Sequence, residues 1–414
     1  MRLKDTLPNR PLLSDTLSVI LPTAEQTWLL RACLHSGESG RRAWEVWQES
    51  VSDPKKVLEL GTRGVKTLAP LLLMALRRNG VVADHSVLTY LRTAYLREDL
   101  RSRIFHRVLG NVLSALTTRG VSQVVLKGAA LAETVYDEPA LRHSHDIDIL
   151  LEEGDLFRAA SMLSALGFAS AREEPGAGQY HVKLTHESGL PVELHSRLFR
   201  IPYYTAPLGD MWARSQTQVI AGSSTRILSP ADNLLHVCAL GTCSGSSDSL
   251  RWVCDAWHII AQYPDLEWDV LFECALRSQL ALPLSVTLGY MAEALNAPIP
   301  PNLLDRLSVA ASRTDSTGRQ AALLGALTAT RGDLKGLISM TRGWRPRARV
   351  LAWTLFPSPS YLRWAYHIRH SWLLPFYYLY RPLKYIVYRL SLRWRRGAEP
   401  KMPQADLTFR KVNS

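Results

Sequence analysis

The stretch Arg142-His143-Ser144-His145-Asp146-Ile147-Asp148-Ile149-Leu150-Leu151 decides how this chain is read. From Ile147 onward it is a short apolar run of strand type, and side chains along a strand alternate between two faces. Asp146 and Asp148 therefore project from one face, while Ile147 and Ile149 project from the other. Two carboxylates held that close repel each other unless a cation neutralises them. Hard divalent ions such as Mg²⁺ take oxygen ligands from one or two carboxylates and share them with substrate phosphates.

Working outward, Val124-Val125-Leu126 is a β-branched run that ends in Lys127-Gly128, and residues 129–136 have helical spacing. Pro139 stops that helix, and a loop through Arg142 and Ser144 leads into the acidic strand. Downstream, Glu153-Gly154-Asp155 opens a helix over residues 156–166 that stops at Gly167. Two strand-like pieces follow, residues 180–185 and 192–194, joined by Ser188-Gly189 as a hairpin. On either side of this block the apolar residues recur at three- and four-residue spacing, over residues 24–118 and again from Pro230 to about residue 338.

The expected fold class is α+β, predominantly helical, with a small mixed-sheet core flanked by N- and C-terminal helical domains. The division runs 1–120 (helical), 121–230 (α/β core), 231–340 (helical) and 341–414 (basic, aromatic-rich tail).

The 414 residues allow two or three cores, and the hydrophobic and charged fractions, 47% and 21%, exclude a disordered or multi-span chain. Five scattered cysteines without a C-x-x-C pair suit reduced thiols and a cytoplasmic setting. Cys238, Cys243 and Cys254 read as buried small hydrophobes. The net charge of +12 is uneven: residues 334–398 hold thirteen Lys and Arg and no Asp or Glu. That segment reads as core packing with solvated charge, as a surface for anionic lipid at the inner membrane face, or as a nucleic-acid groove.

The ordered set Leu126-Lys127-Gly128-Ala129-Ala130-Leu131, Arg142-x-Ser144-x-Asp146-Ile147-Asp148-Ile149-Leu150 and Val192-Glu193-Leu194-His195 resembles the uncharacterised nucleotidyltransferase family of the DNA polymerase β-like superfamily. Leu234-Leu235-His236, Leu250-Arg251-Trp252-Val253-Cys254-Asp255 and Phe356-Pro357-Ser358-Pro359 extend the likeness, which is expected over most of residues 24–390. The resemblance implies a polymerase β-like core and transfer of a nucleoside monophosphate from a nucleoside triphosphate, with Mg²⁺ or Mn²⁺ as cofactor and pyrophosphate as product. It leaves the acceptor open: a sugar, a peptide, a small molecule or RNA.

Within that reading Asp146, Asp148 and Glu193 are the catalytic carboxylates and metal ligands, with Glu193 able to serve as base for the acceptor hydroxyl. Lys127, Gly128, Arg142 and Ser144 are the nucleotide-binding candidates: backbone donors at the Gly128 turn, two cations, and a hydroxyl. Arg142 has an alternative as a partner of Asp137 or Glu138. His195 shares the face of Glu193, His143 and His145 read as loop polar groups, and His181, His186 and His236 read as structural.

One departure stands out. Ala129 replaces the second small residue of better-characterised superfamily members, and the gap to Asp146 is longer. Two other classes therefore stay open: a nucleotide-sensing or scaffold protein without turnover, docked on a membrane or a polymer-synthesis complex, and a toxin-like enzyme that modifies RNA.

Overall fold

The computed structural model describes residues 21–170, 181–199, 201, 203–243 and 250–315, with separate positions between 318 and 383. Among the described residues six helices come first: α1 Ala24–Leu34, α2 Gly37–Ser50, α3 Pro54–Leu60, α4 Arg63–Thr67, α5 Ala69–Arg78 and α6 His85–Thr118. Their starts are written locally. Thr23 and Gln26 form a reciprocal capping box on α1, Asp53 caps α3 ahead of Pro54, and the Asp84 carboxylate accepts from the Ser86 amide at the head of α6.

The core then runs β1 Gln123–Val125, α7 Lys127–Thr134, β2 Ile147–Leu151, α8 Leu156–Ala165, β3 Ala169–Ser170, β4 His181–Thr185, β5 Pro191–His195, α9 Leu208–Arg214, β6 Gln216–Ile220 and β7 Ser223–Ile227. The strands make one mixed sheet in the order β3-β4-β5-β2-β1-β7-β6. β2 pairs parallel with β5 and antiparallel with β1; β1 pairs parallel with β7. Helices α10 Pro230–Cys243, α11 Arg251–Gln262, α12 Trp268–Arg277, α13 Ala281–Leu295 and α14 Pro301–Ser312 complete the described fold.

The sheet separates two cores, and strand alternation decides which residue joins which. Val125, Ile147, Ile149, Leu151, Val182, Leu184, Val192 and Leu194 pack on the second half of α6 and on α8. Val124 and Leu150 face the opposite way, into a larger cluster built from α1–α5, the first half of α6, and α10–α14. The N- and C-terminal helices thus share one apolar core. Thr27 Oγ1 meets Tyr290 Oη at 2.9 Å, and Arg31 Nε donates to the Ala294 carbonyl at 2.6 Å.

Fold class agrees with the sequence reading, as do the helix ending before Gly167 (φ 91°) and the hairpin turning at Gly189 (φ 80°). The β6–β7 hairpin has no signature in the sequence pattern. Four of its first five residues are exposed, so no alternation marks it; the turn is made by Ala221 and Gly222, both at positive φ. Among the described residues no helix is long and apolar enough to cross a membrane. Much of the basic tail lies outside the described residues.

Candidate active site

The acids meet because of register. Asp148 and Glu193 are direct partners across the parallel β2–β5 pair, so their side chains stand next to each other on the helical side of the sheet. Asp146 precedes β2 by one residue and shares the face of Asp148. Carboxylate oxygens of all three lie within 4.8 Å of one another. The alternate residues Ile147, Ile149, Val192 and Leu194 are fully buried in the opposite core, which fixes the pleat.

A ring of nitrogen donors surrounds these acids. Lys127 Nζ and His195 Nε2 both contact Asp148 Oδ1, at 3.1 and 2.8 Å. Glu193 is held by His181 Nε2 on Oε2 and by Lys183 Nζ on Oε1, each at 3.1 Å. His145 Nε2 lies 3.1 Å from Asp146 Oδ2. Burial alone would raise the Asp148 pKa, but the Lys127 charge and the His195 bond outweigh it and hold the group well below the usual carboxylate range. Burial likewise opposes ionisation of Glu193, and the His181 bond and charge overcome it. Asp146 goes the other way: burial and then repulsion from Asp148 push it up to about 6. One carboxylate of the three is therefore short of positive charge.

The turn that carries Lys127 is conformationally special. Lys127 has φ 47°, a left-handed setting that side-chain-bearing residues seldom adopt, and its ammonium crosses to Asp148. Gly128 follows at the first turn of α7. A Cβ there would fall 2.4 Å from Arg142 Nη1 and 2.7 Å from Ser144 Oγ, so the glycine is required by packing.

Arg142, Ser144 and Gly128 thus touch one another. The Arg142 guanidinium donates to both oxygens of Asp255 on α11, at 3.1 and 2.7 Å, and to the His143 carbonyl and Ser144 Oγ. Tyr136 Oη closes on the same Asp255 at 2.8 Å. The Arg142 side chain is only 9% exposed. Its partner is Asp255, and neither of the nearby acids considered from sequence, Asp137 and Glu138, takes that place. The α6 helix fastens the same loop: Glu98 Oε2 binds His143 Nδ1 at 2.9 Å, and Arg101 Nε donates to the Ser144 carbonyl at 3.1 Å.

Four residues of the site were not singled out for it from sequence. His181 and Lys183 reach it because β4 pairs with β5, placing His181 opposite His195 and Lys183 opposite Glu193. The alternation His181-Val182-Lys183-Leu184 was the available signal. Asp255 and Arg251 come from α11. Arg251 Nη1 approaches His145 Nδ1 at 3.0 Å and the His143 carbonyl at 3.3 Å, and no carboxylate among the described residues forms an ion pair with it. Neither of these last two contacts is local in sequence.

The mixed sheet thus carries D-x-D on one strand and a third carboxylate on its parallel neighbour, beside a strand-to-helix turn with a lysine. A family model described as uncharacterised nucleotidyltransferase matches residues 53–296, and the chain belongs to that family. The match is narrower than the span of 24–390 read from sequence, and it contains every residue of the site. No match to a curated protein was found.

The donor set fits a divalent cation. Three oxygen-bearing groups converge from two strands, two of them already paired with ammonium and imidazole groups that occupy cation positions, while Asp146 retains a deficit of positive charge.

Proposed function

We propose that this protein transfers a nucleoside monophosphate from a nucleoside triphosphate to an acceptor hydroxyl and releases pyrophosphate. The convergence of Asp146, Asp148 and Glu193 within 4.8 Å beside the Lys127 turn supports this reading best. Asp146, Asp148 and Glu193 would hold Mg²⁺ or Mn²⁺. Such an ion, when bound, offsets the charge that builds on the attacking and leaving oxygens of an in-line displacement.

The chain's own groups divide the remaining work. Lys127 lies at the head of α7 with a quarter of its side chain exposed, so its ammonium can leave Asp148 for a phosphate oxygen. Arg251, partly exposed and without an ion-pair partner among the described residues, is the guanidinium best able to take the triphosphate. Gly128, Arg142 and Ser144 act through position: they lock the loop that aims Asp146. Glu193 would either share in holding the ion or accept the proton that the acceptor hydroxyl loses as the new phosphorus–oxygen bond forms.

Isothermal titration with each nucleoside triphosphate, with and without Mg²⁺, tests the reading. Metal-dependent binding that disappears in Asp146→Ala/Asp148→Ala supports it; metal-independent binding, or full transfer activity in that double variant, refutes it. Incubating labelled triphosphates with cell extract then identifies the acceptor by which molecule gains label. Nucleotide binding without pyrophosphate release across those acceptors would favour the sensing or scaffold role.

We further infer that the tail docks on anionic lipid. Trp372, Phe376, Leu379, Tyr380 and Leu383 follow helical spacing and are each about half exposed or more, within the acid-free basic segment. Flotation with phosphatidylglycerol vesicles, lost with neutral vesicles and in Trp372→Glu/Phe376→Glu, is the expected result; equal flotation with both lipids would refute it.

A further inference from the structure

The two imidazoles beside the acids are placed for more than charge balance. His181 and His195 face each other across the β4–β5 pair, and their rings stack with centroids 4.9 Å apart and planes 29° from parallel. Both present Nε2 to the carboxylates: His181 Nε2 to Glu193 Oε2 at 3.1 Å, and His195 Nε2 to Asp148 Oδ1 at 2.8 Å and Glu193 Oε2 at 4.0 Å. One nitrogen from each ring and one oxygen of Glu193 lie within 4.8 Å of one another, a second set of that closeness sharing its carboxylate with the first. Lys183 holds the other oxygen of Glu193, Oε1, which leaves Oε2 turned toward the imidazoles.

The two sets differ in chemistry. Asp146, Asp148 and Glu193 offer oxygen alone, the preference of Mg²⁺. A pair of neutral imidazoles with one carboxylate suits a borderline first-row ion such as Mn²⁺, Co²⁺ or Zn²⁺.

We propose that His181, Glu193 and His195 form a second cation site for a borderline divalent metal, joined through Glu193 to the all-oxygen site. This rests on the reading of Asp146, Asp148 and Glu193 as a cation site, because Glu193 serves both. It assigns the two halves of the centre different metal preferences, with the imidazole half retaining its ion when Mg²⁺ is exchanged.

Equilibrium dialysis of the full chain against Mn²⁺, with pulsed electron paramagnetic resonance on the same samples, tests it. The expected result is two Mn²⁺ per chain and nitrogen couplings characteristic of imidazole. In Asp146→Asn the nitrogen-coupled ion stays; in His181→Ala/His195→Ala the nitrogen signal vanishes and one ion remains. Single His181→Ala, at a partly exposed edge of the site, serves if the double variant does not fold, and it should weaken the nitrogen coupling. Wild-type Mn²⁺ without nitrogen coupling, or a coupling unchanged in His181→Ala, overturns the proposal. Mg²⁺-dependent nucleotide binding, measured separately, fails only if the enzymatic reading fails, so the two outcomes are distinguishable.

Discussion

Two cation–carboxylate pairs stand beside each other in this molecule and do different work. Lys127 meets Asp148 through a single contact of 3.1 Å, with a quarter of the lysine side chain exposed and the same oxygen shared with His195. Arg142 meets Asp255 through two bonds, with 9% and 3% of the side chains exposed, and Tyr136 seals the carboxylate. On the proposed function the first pair would exchange partners when a phosphate arrives, since Asp148 also bonds His195. The second cannot, because breaking it would leave an arginine charge buried without compensation. Number of bonds and exposure, more than charge type, separate a ligand-handling cation from a structural one.

The sharpest way to break the comparison is at the acids themselves. Asp146→Ala/Asp148→Ala should lower nucleotidyl transfer by about 1,000-fold or more, roughly 4 kcal/mol of transition-state stabilisation, in a steady-state assay. It should leave the Arg142–Asp255 strut intact, so the circular dichroism spectrum should not change.

Removing the strut should act on folding instead. Asp255→Ala is expected to cost about 3 kcal/mol in urea unfolding, and Arg142→Met added to it should recover much of that loss. Failure of the second substitution to compensate would show that the pair is not the source of the effect.

The pH dependence of the metal-free protein sharpens the electrostatic side. Asp146 has its folded pKa raised from 3.8 to about 6, so its protonated form is favoured in the folded state. The associated stability is fully present below about pH 4 and is lost as pH rises through about 6, on the order of 3 kcal/mol. Mg²⁺ should offset that loss, so the rise in melting temperature on adding Mg²⁺ should grow across the same window. A metal-induced shift that is flat from pH 4.5 to 7.5 would contradict the assignment.

Smallest of all should be the stability effect of Lys127→Met, within about 1 kcal/mol since His195 still serves Asp148. Its triphosphate affinity should nevertheless fall about tenfold, equivalent to about 1.4 kcal/mol.

How far this was readable in advance follows from locality. The D-x-D face, the Gly167 stop and the Gly189 turn rest on side-chain alternation and backbone freedom within a few residues, and the structure reproduces them. Glu193 was within reach because its strand alternates just as cleanly. Arg142 could be seen as a cation but not as a strut, since its partner lies 113 residues away on α11. Lys183 and His181 depend on which strand pairs with β5, and β6 gave no periodicity because it is exposed on both faces. Residues brought in by helix packing, Arg251 above all, have no local pattern that announces them.

The long helix α6, about 51 Å at 1.5 Å per residue, has a further mechanical meaning. Val87 and Leu91 at one end belong to the helical core and Phe105 to Leu116 at the other to the sheet core, with Glu98 and Arg101 between them clasping the loop before Asp146. It is a common spine. The helical core and the sheet core cannot swing apart without bending it, so the loop that leads into Asp146 is referenced to both at once.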